Sequence, residues 1–245
     1  MDYFISIDDT DNLTSIGTGE VAENLGTLLS KFGFGIPTPV TRHQLFFNDA
    51  IAYTSHNSAM CFELKGCNKN HKELVCICSS YLKDNCAEGS DPGLCIVKTD
   101  FSDRNEIMQF GHDAKCMVLT KDQAYELAKQ KNIHLSEHGG LGIGIIGALA
   151  GIGLRMYGND GRYKGQIRVA KNQDNMLVKD LLVNDRIDSV QDQTGHVLSE
   201  NEEVFVTENV KTVRLHEQSV LLVEKMAVED GYVWKNIEKS NLKEY

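Results

Sequence analysis

Ile5-Ser6-Ile7-Asp8-Asp9-Thr10-Asp11 is the stretch on which the fold turns. Phe4, Ile5 and Ile7 read as a strand, and it runs straight into three carboxylates within four positions. Gly17-Thr18-Gly19 then opens a helix whose Val21, Leu25, Leu28, Leu29 and Phe32 share one face. The strand end offers oxygen ligands to a hard cation. The helix start offers N–H groups and a positive dipole end to phosphate. Asp-rich turns also arise because Asp caps helices and bonds its own backbone. A third Asp, placed where α/β sheets bind ligands, favours a site. Asp8, Asp9 and Asp11 are therefore the candidate metal ligands and catalytic acids. Gly17 and Gly19 are the candidate nucleotide contacts, and Thr18 is either an N-cap or a hydroxyl set beside metal and phosphate.

The chain has 245 residues, 41% hydrophobic and 24% charged, within the ordinary globular range. No apolar run reaches the ~18 residues of a membrane span. The N-terminus lacks the basic segment of a secretory signal, and the seven cysteines include no C-x-x-C, so they read as reduced thiols of a cytoplasmic protein. A formal net charge of −10 disfavours a broad nucleic-acid surface without excluding a local basic patch.

Further along, Val40 to Phe46, Ala50 to Ser55, Ala59 to Leu64 and Leu94 to Val97 read as strands. His71 to Asp84 reads as a helix with Leu74, Val75, Cys78, Tyr81 and Leu82 on one stripe. Thr120 and Gln123 make a capping box for a helix through Lys131. The glycine-rich, apolar run from Gly139 to Gly153 predicts a buried helix near Ile145–Leu154, whose small residues admit another backbone closely. From about residue 171 short alternating runs indicate four to six strands of a small β module.

Gly142-x-Gly144-x-x-Gly147 spells a dinucleotide fingerprint, but Leu135 to Gly140 does not read as the strand that must precede it, so a tight helix start that touches phosphate is the better reading. His134-x-x-Glu137-His138 spells an inverted zinc-protease motif, yet Gly139-Gly140 interrupts the helix that chemistry needs. Glu137 and His138 either line a pocket or belong to plain surface. Arg42, His43, His56 and Asn57 are candidate phosphate partners by side-chain type.

The block Ile7-Asp8-Asp9-Thr10-Asp11 with Thr18 downstream resembles the kinase-like domain of the archaeal isoleucine-tRNA 2-agmatinylcytidine synthetase family. His56-Asn57-Ser58-Ala59, Asp91-Pro92-Gly93-Leu94 and the run Gly142 to Gly153 are similar to that family's later segments, in the same order, over about residues 3 to 155. The resemblance implies an enzyme that uses ATP and Mg²⁺ to activate a cytidine and then attaches agmatine. It implies metal-binding roles for Asp8, Asp9 and Asp11, and a phosphoacceptor role for Thr18. Gly17 stands where the family has Cys, Ile143 where it has Arg, and no cysteine quartet matches its zinc ribbon.

The expectation is an α+β fold: a mixed sheet with helices in ferredoxin-like lobes over residues 1–170, then a small β module over 171–245. The expected function is ATP- and Mg-dependent activation, with Gly142, Gly144 and Gly147 at the phosphates and a small-molecule acceptor. The alternatives are a non-catalytic nucleotide or polyamine binding module, or a tRNA modifier with a separate RNA-binding partner. A homodimer is left open, and no membrane partner is expected.

Overall fold

Strand β1 (Tyr3–Asp8) is an interior strand of its sheet, paired on both sides, and both its faces are apolar. Tyr3, Ile5 and Ile7 enter one core and Phe4 enters the other. The computed structural model describes every residue except 52–55, 170–173, 208 and 230. Most of the strand expected over Ala50–Ser55 lies outside the described residues, and Ala50 itself is in a turn.

The chain divides into two units, Met1–Tyr157 and Gly158–Tyr245. In the first, β1 is followed by α1 (Thr18–Lys31), β2 (Ile36–Pro37), β3 (Thr41–Gln44), β4 (Ser58–Lys65), α2 (His71–Asn85) and β5 (Gly93–Lys98). The spatial order β5-β1-β4-β3, with antiparallel neighbours throughout, is the βαββαβ ferredoxin-like arrangement. Helices α1 and α2 cover one face: Val21, Leu25 and Leu29 from α1, with Leu74, Cys78 and Leu82 from α2, close on Ile5, Ile7 and Phe62.

The chain then adds the helices α3 (Asn105–Asp113), α4 (Lys121–Lys131) and α5 (Gly144–Tyr157), and extends the sheet by β6 (His134–Glu137). Strand β6 pairs antiparallel with β5. It lies over residues whose composition does not read as a strand, and pairing with a neighbour supplies what local propensity lacks. The capping box at Thr120 is present in both halves. Helix α5 is buried along nearly its whole length: Ile145, Leu149, Ile152 and Leu154 are fully enclosed, each worth roughly 1.5–3 kcal/mol of burial. Its glycines set the packing distance. A Cβ at Gly153 would overlap the Ile107 carbonyl of α3, and one at Gly151 would overlap Ser6 Oγ of β1.

The second unit holds β7 (Arg162–Tyr163), β8 (Ile167–Arg168), β9 (Asp174–Leu177), the short α6 (Val178–Leu181), β10 (Ser189–Asp192), β11 (Glu203–Val206), β12 (Asn209–Val210), β13 (Val213–Leu215), β14 (Gln218–Val228) and β15 (Gly231–Asn236). The long β14 is its spine: the first half pairs with β10 and β13, the second half with β15. Val190, Val204, Val206, Leu221, Val223 and Trp234 form its main core. The unit begins before residue 170, because Arg162 pairs with Val213 and Arg168 with Asn209. The parallel pairs β10–β14 and β11–β15 make the pairing mixed.

Candidate functional site

The acidic turn is held at the C-terminal end of β1 by glycines on α5. Asp8 points to the α5 face, and a Cβ at Gly147, in the first turn of that helix, would overlap Asp8 Oδ2. Gly144 packs equally close, against the backbone of Asp91 and Gly93. Asp9 takes a left-handed conformation, φ 52°, which turns the chain sharply after the strand. Burial lifts the Asp8 carboxyl to about 8, helped by the charges of Asp9 and Asp11. Burial, then Asp91 and Asp11, lift Asp9 to about 6.

Thr18 is not the N-cap. Gly17 holds that position without a side-chain bond, and Thr18 is the first helical residue. Its hydroxyl donates to Asp11 Oδ1 at 2.9 Å and accepts from the Thr10 N–H at 3.3 Å. The hydroxyl thus serves the acidic turn rather than the helix, and Gly19 follows it into the core side of α1. Asn12 orders the intervening loop by accepting from the Thr14 and Ser15 N–H groups at 3.0 Å each.

Asp91 is the functional candidate that sequence reasoning missed. Its carboxylate accepts from the Leu141 N–H and from the Gly142 N–H, the latter at 2.9 Å, so it occupies the amides of the glycine loop. Its charge acts on Asp9. The one signal of it in the sequence was its place in the Asp-Pro-Gly-Leu block, which reads as a turn. Gly142, φ +70°, lies against Glu137, and a Cβ there would overlap that carboxylate. Glu137 in turn accepts from Tyr125 Oη at 2.6 Å and pairs with Lys121 at 2.7 Å, so it fastens the loop.

The remaining candidates spread along the same sheet end. Arg42 on β3 is level with Met60 and donates from Nε to Ser58 Oγ at 2.9 Å. Asn57 serves the β3–β4 connection, donating to the Phe46 carbonyl at 2.8 Å, and His56 is exposed just before it. His43 faces the other side of β3 from Arg42, the α5 side that Asp8 also faces, and is buried 2.7 Å from Thr41 Oγ1. His134, Ser136 and His138 form a row along β6 and its end, with Ser136 Oγ 2.9 Å and 2.8 Å from the two Nε2 atoms. A strand, not a helix, carries them, and the protease geometry does not form.

Among the described residues no three His, Cys, Asp or Glu side chains converge as a ready-made ion cage. Magnesium does not require one: it keeps several waters and takes one or two carboxylates together with phosphate oxygens. An all-oxygen donor set, with two carboxyls held above their usual range by burial and by neighbouring acids, suits such an ion.

No protein-family model matches the chain, and no curated protein matches it. Among solved structures it is similar to apo TiaS, an agmatidine synthetase of an isoleucine tRNA, at TM-score 0.55 and 23% identity, over 62% of this chain and 35% of that one. A complex of TiaS with its tRNA and ATP matches at TM-score 0.54 and 24% identity, over 62% and 36%. A complex of TiaS with its tRNA, AMPCPP and agmatine matches at TM-score 0.53 and 19% identity, over 75% and 44%. The chain thus spans less than half the length of these structures, and the likeness defines a TiaS-like fold.

Proposed function

We propose that the first unit binds ATP with Mg²⁺ and uses it to activate an acceptor. The observation that carries this reading is the crowding of four acids at one strand end: Asp8 packs on Gly147 of α5, Asp91 holds the loop before α5, Asp11 bonds Thr18 at the start of α1, and their charges act on Asp8 and Asp9. Crowded acids at a strand end cost stability unless a cation neutralises them. Asp8 and Asp9 would hold the ion, with Asp11 behind them. Bound there, Mg²⁺ would neutralise phosphate charge, the main requirement of phosphoryl transfer.

Thr18 is oriented by Asp11, a carboxylate placed to accept its proton, and serves as ligand or phosphoryl acceptor. Gly17 and Gly19 leave the start of α1 without side chains where phosphates would lie, while Gly144 and Gly147 let α5 close on Asp91 and Asp8. Arg42 at the same sheet end supplies a cation. ATP as cofactor is supported by the complexes of fold neighbours with ATP and AMPCPP. Those neighbours also contain tRNA and agmatine, and of the two a small amine is the acceptor that suits an acidic chain.

Calorimetry with ATP, with and without Mg²⁺, tests the site on wild type, Asp8→Asn and Asp9→Asn. Expected is Mg²⁺-dependent binding accompanied by proton release at pH 7, with release diminished in Asp8→Asn. Equal binding and equal proton release in all three proteins would refute it.

A second reading, a non-catalytic nucleotide or polyamine binder, is favoured by one feature: Asp91 already holds the amides of Leu141 and Gly142. Binding without turnover, unaffected by Thr18→Ala, would select it.

A further inference from the structure

Lysine and arginine total 25 in a chain of net charge −10, yet five of these cations gather in the second unit. They come from four segments: Arg162 on β7 with Lys164 just after it, Arg186 in the loop after α6, Lys211 between β12 and β13, and Lys239 near the C-terminus. Lys211 Nζ is the centre. It donates to the carbonyls of Tyr163, at 3.4 Å, and of Gly165. Arg186 Nη2 donates to the Lys164 carbonyl at 2.6 Å, and Arg162 Nη1 to the Lys239 carbonyl at 3.5 Å. We propose that this cluster is a phosphate-binding site, in which Lys211, Arg186 and Arg162 close on the oxygens of a phosphate group.

Three features carry the proposal. Among the described residues, the charged neighbours that act on Lys211 are Lys239, Arg162, Arg186 and Lys164, each a cation. Burial and the repulsion of these like charges hold the Lys211 ammonium down to about 8. The acceptors just named for Lys211, Arg186 and Arg162 are backbone carbonyls, which carry no counter-charge. They take two of the three donors of an ammonium, and one of the five of each guanidinium. Finally, the approach is open. Gly165 and Gln166 are exposed, and Gly165, φ +83°, puts no side chain in front of Arg186, whose Nη2 would stand 3.3 Å from a Cβ there.

The ligand follows from the donors. Two planar guanidiniums and an ammonium match a tetrahedral oxyanion with more than one acceptor edge, and several cations favour a multiply charged group. Phosphate fits both demands. It can arrive free, as phosphate or pyrophosphate, or within the backbone of a single-stranded RNA. The site is independent of the ATP reading of the first unit.

The test uses the full chain at low salt, with pyrophosphate and a fluorescent 12-nucleotide oligouridylate as probes. Pyrophosphate is expected to bind wild type, with affinity reduced at least tenfold in Lys211→Met/Arg186→Gln and retained in Lys211→Arg. Oligouridylate binding that weakens steeply with salt and is displaced by pyrophosphate assigns the source to RNA; pyrophosphate binding alone assigns it to a free phosphate group. Methyl-labelled lysine NMR provides a readout that needs no variant: the Lys211 ammonium should titrate at higher pH once pyrophosphate is bound. Binding of neither probe, equal binding in the double variant, or a Lys211 titration unmoved by saturating pyrophosphate would overturn the proposal. The titrations are run without Mg²⁺, which the proposed ATP site requires, so failure here is distinct from failure of that site.

Discussion

The acidic end of the first unit and the basic cluster of the second are built on opposite plans. In both, like charges crowd one another. Asp8, Asp9 and Asp11 are neighbours in sequence, pressed together by a strand end and by a glycine helix. Arg162, Lys164, Arg186, Lys211 and Lys239 are scattered over the second unit and meet only because its strands fold together. The first kind of cluster leaves a mark in the sequence, and the second leaves none.

The contrast is most exposed at Gly147. Gly147→Val puts a branched side chain into the Asp8 carboxyl and should cost about 3 kcal/mol, as overpacking does at a closed contact. Thermal denaturation checks it. An unchanged melting temperature would mean that the helix does not hold Asp8, and the acidic end would lose its distinguishing feature.

Next comes the pH dependence, which should run in opposite directions for the two clusters. Asp8 titrates at about 8 in the folded chain and near 3.8 when unfolded, so the folded state binds more protons between these values. Stability should therefore fall as pH rises through that window, by up to about 1.4 kcal/mol per pH unit. Asp8→Asn should flatten the slope, as read by urea unfolding from pH 5 to 8. Lys211 is lowered to about 8 from 10.5, so the unfolded state binds more protons between those values, and stability should rise with pH there. The Lys211→Met protein should lose that rise.

Thr18→Val removes the bond to Asp11 and should cost about 1 kcal/mol by the same unfolding measurement. A cost this small separates a positioning hydroxyl from a core group. Least of all, Lys211→Met at pH 7 should raise the melting temperature slightly by relieving repulsion, and a clear fall would mean that its carbonyl contacts outweigh the crowding.

Much of the architecture was legible because it rests on local chemistry. The apolar run of β1, the stripes of α1 and α2 (except Phe32, which lies exposed just past α1), the Thr120 capping box and the buried glycine helix all follow from side-chain character and spacing. Helix α3 and strand β6 were not legible. Gly111 lies in α3 despite poor helix propensity because it packs against the α5 backbone, and β6 exists because β5 offers an edge. Local reasoning left Thr18 open between a cap and a hydroxyl beside metal and phosphate, and only the return of the acidic turn onto the helix assigns that hydroxyl to Asp11.

By itself the sequence determined which residues must be buried, where the principal helices of the first unit run, and that three acids end the first strand, since period and propensity act over a few neighbours. The tertiary structure alone decided that Asp91 joins those acids, that Gly147 presses on Asp8, and that five distant cations face one another. Burial and Coulomb forces depend on distance through space, and a chain's order does not state that distance.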